Sequence, residues 1–576
     1  MKKSLLIVVL LALSVLTFGQ SIVKTIPDSN QTTLCNPLNL SYRFCLDDPS
    51  RREAADPVIV LYKGEYWLFA SKTGGYWHSA DLISWNFIAC TDLPVEDYAP
   101  AAVVINDILY FMASAPAPVK IYKTQDPKSA KWQVATSTFP IGMIDPDLFL
   151  DDDGRLYFYY GCSNEKPIYA VELDTKSFQP KGTPVVCFNS NKEINGWEQK
   201  GDYNNQPERP WIEGAWMTKH EGKYYLQYAG PGTEYKSYSD GLYVSDQPLG
   251  PFKLAEHNPI SLKPEGFIAG AGHSCTFQDK YGNYWHIVTM AISQKHMFER
   301  RLGLFPMFFD KEGVLYTSTG FGDFPFTVPR KKISSPDELF PNWMLLSYNK
   351  PLEVSSEMSD HPRRLAADEE IRTYWSAQTG DKGEWIGMDL EKECTLHAVQ
   401  LNFAENQTTL HGRNPNNYYQ YLLEYSIDKK TWKVLADKTQ NKTDVPHDYL
   451  QLSVPIKARY IRLTNYRVPD GTFALSGLRI FGNGQGSNPG KVLKFTAERT
   501  QNDRREVNLQ WDPPKSAVGY NIRYGIHPAK LYHTYQVLGQ NSLTIRSLNS
   551  TQKYFFTIDA FNENGTLKGA KILEVE

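Results

Sequence analysis

Three carboxylic acids stand at matching places in three copies of a strand-turn-strand unit. Asp56 lies in an Ala-Asp-Pro motif just before an apolar strand, a short Gly-containing turn and an aromatic strand. Asp145 lies in an Ile-Asp-Pro motif before the same pattern, and Glu213 heads a third unit. Carboxyl groups that face one another can divide the roles of general acid and general base between them. A ring of such units would bring all three acids to one centre.

The first 330 residues repeat this unit five times. Each copy has an apolar strand, a turn with Gly, Asp or Asn, a strand rich in tyrosine and a further strand. The tyrosine strands centre on Tyr66, Tyr110, Tyr157, Tyr225 and Tyr284. Five such units, at intervals of roughly 40 to 50 residues and longer where insertions occur, are typical of a β-propeller. The first strand of each unit then borders the central channel, so the three acids should project into one funnel. We expect an insertion at 189–205 to shape its rim.

The composition changes twice after the repeats. Residues 331–349 are rich in Pro and Ser, and 483–490 have the Gly/Ser/Asn composition of a flexible linker. Short alternating strands after each of them predict two β-sandwiches, so the fold class is all-β. The predicted division is a signal peptide at 1–20, a five-bladed β-propeller at 35–330, a linker at 331–349, a β-sandwich at 350–482, a linker at 483–490 and a small β-sandwich at 491–576.

Length, charge and the N-terminus restrict the class of protein. The chain has 576 residues, too many for one core, and a net charge of −3 with no basic stripe, which argues against a nucleic-acid partner. Two lysines, an apolar run at 5–18 and Gly19-Gln20 are typical of a cleaved secretory signal. No cysteine lies there for lipid attachment, and no other segment is apolar enough to span a membrane. We therefore expect a periplasmic or secreted protein.

Seven cysteines leave at least one thiol unpaired. Cys35 and Cys45 could form a disulfide in an oxidising compartment. The cysteine spacings match no metal-binding signature, and we expect most of these residues to be buried free thiols.

The order and spacing of five motifs give the first 330 residues a resemblance to glycoside hydrolase family 43. The motifs are Ala55-Asp56-Pro57, Tyr98-Ala99-Pro100, Ile144-Asp145-Pro146, Glu213-Gly214 and Gly272-His273. Members of that family are five-bladed propellers that hydrolyse glycosidic bonds with inversion. The resemblance implies that Asp56 is the general base, Glu213 the general acid, and Asp145 the residue that tunes the acid and orients substrate.

The chain departs from the family pattern beside these positions. Tyr98 replaces a tryptophan, and Ala101 stands where an acidic residue is usual. Such changes bear on the substrate subclass more than on the reaction. Inversion requires the two catalytic carboxyls about 6.5–9.5 Å apart with water between them, a gap that opposite walls of a funnel supply. Asp145 beside Glu213 would favour a proton on Glu213 by like-charge repulsion.

Four more residues are candidates for binding substrate. Trp77 and Trp211 could form a platform for a sugar ring or simply pack between blades. Arg300 could reach a substrate hydroxyl or form a surface salt bridge. His273 matches a family histidine near the channel, which implies a substrate contact and a ligand for a calcium ion or ordered water. No cofactor is required, although the channel could hold a structural Ca²⁺; the Asp-rich run 151–154 predicts a hairpin turn, because it lacks the spaced ligands of a calcium loop.

Both predicted sandwiches resemble known modules. The first is similar to discoidin-type (F5/8 type C) domains and to family 32 carbohydrate-binding modules through Tyr374-Trp-Ser-Ala377, Trp385-Ile-Gly-Met-Asp-Leu390 and Arg459-Tyr-Ile-Arg-Leu463. The second resembles fibronectin type III domains through Trp511, Tyr520, Tyr524 and Tyr554. The resemblances imply sugar binding for the first and a spacer or packing role for the second.

These features predict a monomeric, exo-acting and inverting glycoside hydrolase that removes terminal sugars from polysaccharides. α-L-Arabinofuranose is the first candidate sugar, and β-D-xylose and galactose remain open. A retaining fructan-cleaving propeller would carry Asn-Asp-Pro and Arg-Asp-Pro motifs, which the residues around Asp56 and Asp145 do not match. The alternative from another class is a non-catalytic carbohydrate-binding protein or adhesin built on the propeller scaffold.

Overall fold

The computed structural model describes residues 31–142, 144–409 and 412–576, and it confirms the all-β fold class. The predicted signal peptide lies outside these residues. The helices in the described ranges are four 3₁₀ turns, Pro127–Ser129, Gly196–Glu198, Pro336–Glu338 and Arg363–Ala366. No helix within those ranges is long and apolar enough to cross a membrane.

Five antiparallel sheets follow one another as the blades of a propeller, each with its strands in chain order. Blade 1 consists of Val58–Tyr62, Glu65–Phe69, Gly75–Ser79 and Asn86–Ala89. Blade 2 consists of Pro100–Ile105, Ile108–Ala113, Val119–Thr124 and Gln133–Phe139. Blade 3 consists of Asp147–Leu150, Leu156–Tyr160, Ile168–Leu173 and Val185–Phe188.

The last two blades have longer inner strands. Blade 4 consists of Glu213–His220, Lys223–Gly230, Ser239–Ser245 and Lys253–Leu254, with Ser261–Leu262 also paired to its third strand. Blade 5 consists of Ala269–Gln278, Tyr284–Ala291, Arg300–Phe309 and Leu315–Thr317. The first strands of neighbouring blades contact one another in a closed ring, so they line the central channel. The five-bladed propeller predicted from the repeats is confirmed.

The inner hairpins turn where the sequence predicts. Lys63 and Gly64 both have positive φ, 52° and 77°, and Asn106 and Asp107 have φ of 50° and 58°. Two consecutive left-handed residues are the mark of type I′ turns, whose twist matches that of the paired strands. Residues 151–154 likewise join two paired strands, so the Asp-rich run is a hairpin turn.

The ring closes by packing between its first and last blades. Blades 1 and 5 share a hydrophobic core that contains Leu68 and Trp285. The chain before blade 1 adds the strand pair Arg43–Phe44 with Arg52–Glu53. It also adds Thr33–Leu34, which pairs with Phe326–Thr327 after blade 5. The two ends of the propeller segment are therefore bound to each other.

The second domain is a β-sandwich whose main sheet contains Met344–Leu345, Ala474–Asn483, Trp385–Phe403, His447–Arg467, Gln420–Ser426 and Lys433–Asp437 in that spatial order. Leu352–Val354 and Trp375–Ser376 pair onto this sheet. Its first strand lies inside the predicted linker 331–349, because Met344 and Leu345 are buried and pair with residues 481 and 482. The sandwich thus begins earlier than the composition indicates.

The third domain is a smaller sandwich of two sheets. One sheet contains Leu493–Arg499, Val507–Asp512 and Ser542–Ile545. The other contains His533–Leu538, Gly519–Gly525, Tyr554–Asn562, Gly565–Leu567 and Leu573–Val575. Its likeness to fibronectin type III domains stays a prediction.

All seven cysteines are free, so the disulfide considered between Cys35 and Cys45 is wrong. The thiol of Cys35 approaches the backbone oxygen of Asp323 at 3.2 Å, whereas that of Cys45 faces Glu53 at 3.6 Å. The two side chains have different partners. Five of the seven cysteines are buried, as expected, and Cys162 and Cys187 are partly exposed.

The second domain is fixed to the propeller by buried charges. Arg52 is fully buried and pairs with Glu405 at 2.5 Å and with Asp444 at 2.8 Å. Arg301 donates through Nε to Nε2 of His447 at 2.8 Å. Because a buried ion is stable only when its partner is present, these contacts hold the two domains in one arrangement.

Replacing Arg52 with Ala should destabilise the protein strongly. The change leaves Glu405 and Asp444 without their cation in a buried interface, a loss that costs about 3–5 kcal/mol. We expect the thermal midpoint to fall by about 5 °C or more in a calorimetric scan. Arg459→Ala is the matched control, because Arg459 forms a more exposed ion pair with Asp389 on the same domain. Equal midpoints for the two variants would contradict a structural role for the Arg52 contacts.

Candidate active site

Five backbone positions, in or just before the inner strands, share an unusual conformation. Left-handed φ values occur in all five blades, at Asp56 (52°), Ala99 (44°), Asp145 (57°), Gly214 (59°) and His273 (44°). We call these five residues the entry ring. Non-glycine residues rarely adopt this conformation, and clusters of them mark functional sites. Each sequence motif of the repeat therefore corresponds to one strained position on the channel.

A closed set of hydrogen bonds holds the entry ring. The N–H of each member donates to a side-chain oxygen of the preceding blade: Asp56 to Thr289 (2.8 Å), Ala99 to Ser71 (2.8 Å), Asp145 to Ser114 (2.9 Å), Gly214 to Asp145 (3.3 Å) and His273 to Asp240 (3.0 Å). The first of these bonds joins blade 1 to blade 5. The positions of the predicted catalytic residues therefore depend on closure of the whole propeller.

Asp56 is buried and surrounded by groups that favour its charged form. Its carboxylate accepts a hydrogen bond from Ser71 Oγ at 2.6 Å and lies 3.2 Å from both Arg300 Nη1 and His273 Nδ1. Burial opposes ionisation, but the charges of Arg300 and His273 and the hydrogen bond from Ser71 outweigh it. Together they hold the pKa of Asp56 below its ordinary value. An ionised carboxylate is what a general base requires.

Arg300 is neither a surface ion pair nor an exposed substrate ligand. Its side chain is 4 % exposed and lies between Asp56 and the fully buried Glu53, with a further hydrogen bond to Thr233 Oγ1 at 3.1 Å. The expected surface salt bridge is wrong, because the strand that carries Arg300 turns this side chain into the channel wall. Arg300 acts on the site by holding Asp56.

Asp145, Glu213 and His273 form one cluster. Ligand-type atoms of the three side chains lie within 4.8 Å of one another, and His273 Nδ1 is 3.7 Å from Asp145 Oδ2. Burial raises the pKa of Asp145 to about 7, helped by the charges of Glu213 and Asp56 and opposed by His273. Burial lowers the pKa of His273, but the three acids outweigh burial and raise it. Asp145 therefore retains its proton up to near neutral pH, directly beside Glu213.

Glu213 is held at both carboxyl oxygens. Tyr238 donates its hydroxyl to Oε1, and the thiol of Cys162 lies 3.1 Å from Oε2. The next residue, Gly214, packs against the imidazole of His273: a Cβ there would lie 2.7 Å from the ring, at a φ of +59°. Glycine is therefore required after Glu213 if the imidazole is to stay beside the acids.

Sequence reasoning missed Tyr238 and Cys162. Tyr238 lies in the third-strand region of blade 4 and is distant from any repeated motif. Cys162 carries a signal in hindsight, because it follows the second strand of blade 3 by two residues, as Ser71 follows that of blade 1. Both side chains reach an acid of the channel, Ser71 to Asp56 and Cys162 to Glu213.

The two predicted tryptophan platforms differ in position. Trp77 is fully buried in blade 1, where it donates to Ser41 Oγ at 3.2 Å and meets Phe87 edge to face. A substrate-binding role for Trp77 is wrong, because its strand turns this side chain into the blade core. Trp211 is 39 % exposed and precedes Glu213 by two residues. Its contact with substrate stays a prediction.

The acid cluster is poorly suited to calcium. Calcium prefers six to eight oxygen ligands, whereas the group that could hold an ion offers two carboxylates and one imidazole nitrogen. His273 Nδ1 also faces Asp56, which reduces its availability as a ligand. The reaction can be described with the protein's own acids and base.

Comparisons with known proteins assign families to two parts of the chain. Residues 50–315 match the family model for Glycosyl hydrolases family 43, and residues 351–475 match that for the F5/8 type C domain. The chain is 23 % identical over 266 residues to Beta-D-galactofuranosidase xynD of Aspergillus niger, covering 40 % of this chain and 72 % of that protein. It is 27 % identical over 160 residues to a Xylosidase/arabinosidase of Butyrivibrio fibrisolvens, covering 26 % of this chain and 28 % of the relative.

Among solved structures, a thermostable family-43 glycoside hydrolase aligns with a TM-score of 0.43 and 22 % identity, over 52 % of this chain and 100 % of that one. The protein described here is a glycosidase. Its propeller is a domain of glycosyl hydrolases family 43, followed by an F5/8 type C domain.

The thiol of Cys162 should support Glu213 as a hydrogen-bond donor. Cys162→Ser keeps a donor in place, so we expect kcat within about twofold of wild type. Cys162→Ala removes it and should lower kcat about 10-fold or more, the size expected for a hydrogen bond to a charged group. Hydrolysis rates of the two purified variants and the wild type on one aryl glycoside would measure both changes in kcat. Equal rates for Ser and Ala would contradict this role.

Burial and the charges of Asp145 and Glu213 also raise the pKa of Cys162 far above the ordinary range. Because the thiolate is the reactive form, treatment of the wild type with iodoacetamide at pH 7.5 should leave its activity intact. If iodoacetamide inactivates the wild type but not Cys162→Ser, the thiol of Cys162 ionises readily.

Proposed function

We propose that this glycosidase is an inverting, exo-acting enzyme that releases single terminal sugars from polysaccharides. The observation that carries the proposal is the contrast between two sides of one buried channel. Asp56 is held in its ionised form by Arg300 and His273, whereas Asp145, which lies beside Glu213, keeps its proton up to about pH 7. A base and an acid are thus available at the same pH.

In the proposed reaction, Asp56 accepts a proton from a water molecule as that water attacks the anomeric carbon. Glu213 gives its proton to the glycosidic oxygen as the bond to the leaving group breaks. One proton enters at Asp56 and one leaves at Glu213, so the free acid and base are restored by exchange with solvent. Asp145 holds a proton beside Glu213 up to about pH 7, and His273 lies between Asp145 and Asp56. Attack by water from the face opposite the leaving group inverts the anomeric centre.

The first candidate sugar is α-L-arabinofuranose, with β-D-xylose and galactose as the others. Relatives of the chain are named as a β-D-galactofuranosidase, a xylosidase/arabinosidase and a β-xylosidase, which supports this group of sugars without selecting one. Exo action is favoured because the acids lie within a closed ring of inner strands, which would admit the end of a chain more easily than its middle. A non-catalytic sugar-binding protein is the second candidate from another class.

Asp56→Asn and Glu213→Gln should each lower kcat/KM by about 10³-fold or more, since each removes one of the two proton-transfer groups. The measurement is hydrolysis of a panel of aryl glycosides and of arabinan, xylan and galactan. Proton NMR of the first product formed should show the inverted anomer. Retention of configuration, or unchanged rates in both variants, would contradict the assignment. A wild type that binds glycans and hydrolyses none of them would favour the sugar-binding protein.

The dependence of kcat/KM on pH should report the two sides of the channel separately. Asp56 must be ionised, so the acid limb should lie below its ordinary pKa of 3.8. Asp145 must hold its proton beside Glu213, so activity should fall as pH rises through about 7. Asp145→Asn removes the group that titrates there, so this alkaline limb should disappear.

Asp246→Asn is the matched control, because Asp246 is exposed on blade 4. An alkaline limb that stays in place in Asp145→Asn would show that Asp145 is not the group that titrates there.

A further inference from the structure

An open cleft with a volume of about 530 Å³ lies beside the channel, outside the acid cluster. Its walls are three loops of the propeller together with one residue of the F5/8 type C domain, Arg372. The loops are 202–206, 234–235 and 293–297, and we call the space between them the rim cleft. The volume is in the range of ligand sites.

Two of these loops lie at the channel mouth. In blade 4, Glu213 pairs with Ala229, so the loop that follows the second strand is at the same end as Glu213. In blade 5, Ala269 pairs with Ala291, which places the loop 293–297 at the end where the inner strand enters near His273. The rim cleft therefore opens beside the acids and not on the opposite face of the propeller.

Each wall is also joined to a residue that contacts a catalytic acid. The carboxylate of Glu299 accepts the N–H groups of Gln294 (3.2 Å) and Lys295 (3.0 Å), and the next residue is Arg300, the partner of Asp56. Thr233, which Arg300 contacts, precedes Glu234. On the third wall, Ser237 donates to the backbone of Gly201 at 2.8 Å and is followed by Tyr238, the partner of Glu213.

Arg372 connects all three walls. It donates through Nη1 to Asp202 at 2.7 Å and through Nη2 to the backbone oxygen of Glu234 at 3.2 Å, and its own backbone oxygen accepts from Gln294 at 2.6 Å. The preceding residue, Ile371, is buried against the propeller and donates to the backbone oxygen of Phe267 at 2.9 Å. The F5/8 type C domain thus supplies a fixed part of the rim cleft.

The lining suits a neutral, hydroxyl-rich chain. Tyr203 and Met297 expose 49 % and 47 % of their surface, and Asn205 and Gln206 add amides that can donate and accept. The two lining cations are already engaged by the protein: Arg372 pairs with Asp202, and Nζ of Lys295 donates to the backbone oxygen of Glu405. Exposed tyrosine offers an apolar face to a sugar ring and a polar edge to its hydroxyls.

We propose that the rim cleft binds the part of the polysaccharide on the leaving-group side of the bond to be cleaved, and that Arg372 makes the F5/8 type C domain part of this site. The inference rests on the proposed exo action: a terminal sugar fills the funnel, and the remaining chain must leave through the mouth. Tyr203 stacks on a sugar ring of that chain, and Arg372 positions the loops that contact it.

The test compares two substrates that share the terminal sugar, an aryl glycoside and an oligosaccharide. Tyr203→Ala and Arg372→Ala should each raise KM for the oligosaccharide about 10-fold and leave kcat/KM for the aryl glycoside within about twofold. The controls are Tyr281→Ala, at a hairpin turn on the opposite end of blade 5, and Arg363→Ala, whose exposed ion pair with Glu357 lies elsewhere on the same domain. Both controls should match wild type on both substrates.

Equal losses on both substrates, or no loss on either, would overturn the proposal. Arg372→Ala could disturb domain docking and lower the activity on both substrates. In that case the result for Tyr203→Ala decides whether the rim cleft binds the oligosaccharide. A wild type without hydrolytic activity would refute the proposed function, and glycan binding by the rim cleft would then be tested by itself. In that case, calorimetric titration with arabinan, xylan and galactan oligosaccharides should give weaker binding to Tyr203→Ala than to Tyr281→Ala, and equal affinities would refute the cleft.

Discussion

Closure of the entry ring is the constraint on which the active site depends. A left-handed non-glycine residue costs about 1–3 kcal/mol, so four of them around one channel persist only because the surrounding structure holds them. The hydrogen bond from each N–H to the preceding blade supplies that restraint. Asp56 receives its restraint from Thr289, which lies in the last blade. The first catalytic motif of the chain is thus positioned only when the final blade has joined the ring.

The division of labour among the acids follows from where the cations lie. Asp56 has two cationic neighbours, Arg300 and His273, whereas Asp145 and Glu213 share the imidazole of His273 alone. Asp145, buried beside two other acids with one cation, retains its proton up to about pH 7, and Asp56, with two cations, does not. Arg300 is itself balanced by Glu53, so its charge is stable in the channel wall. The difference in protonation between Asp56 and Asp145 therefore follows from the guanidinium of Arg300, which lies beside Asp56 only.

What could be predicted from the sequence was local. The repeats, the hairpin turns and the acids are legible because each motif lies within a few residues of the strand it heads. Arg300, Tyr238 and Cys162 contact those acids from other strands or strand ends, and of the three only Cys162 occupies a repeated position that could have indicated its contact. Trp77 was predicted as a possible substrate contact but is buried. A sequence rich in aromatic residues is compatible with a sugar platform or with a core, and only the direction of the side chain distinguishes the two. The predicted disulfide between Cys35 and Cys45 was wrong for the same reason, because the two side chains point to different partners although they are close in sequence.

The F5/8 type C domain is docked by the same two strands that build the catalytic centre. Successive side chains of a strand point to opposite faces. Glu53 and Arg300 face the channel, whereas their neighbours Arg52 and Arg301 face the second domain and bind Glu405 and His447. A shift of either strand would move an acid partner and a domain contact together. A module on a flexible tether would share no such strand, so the second domain is held at a fixed position relative to the catalytic centre of the propeller.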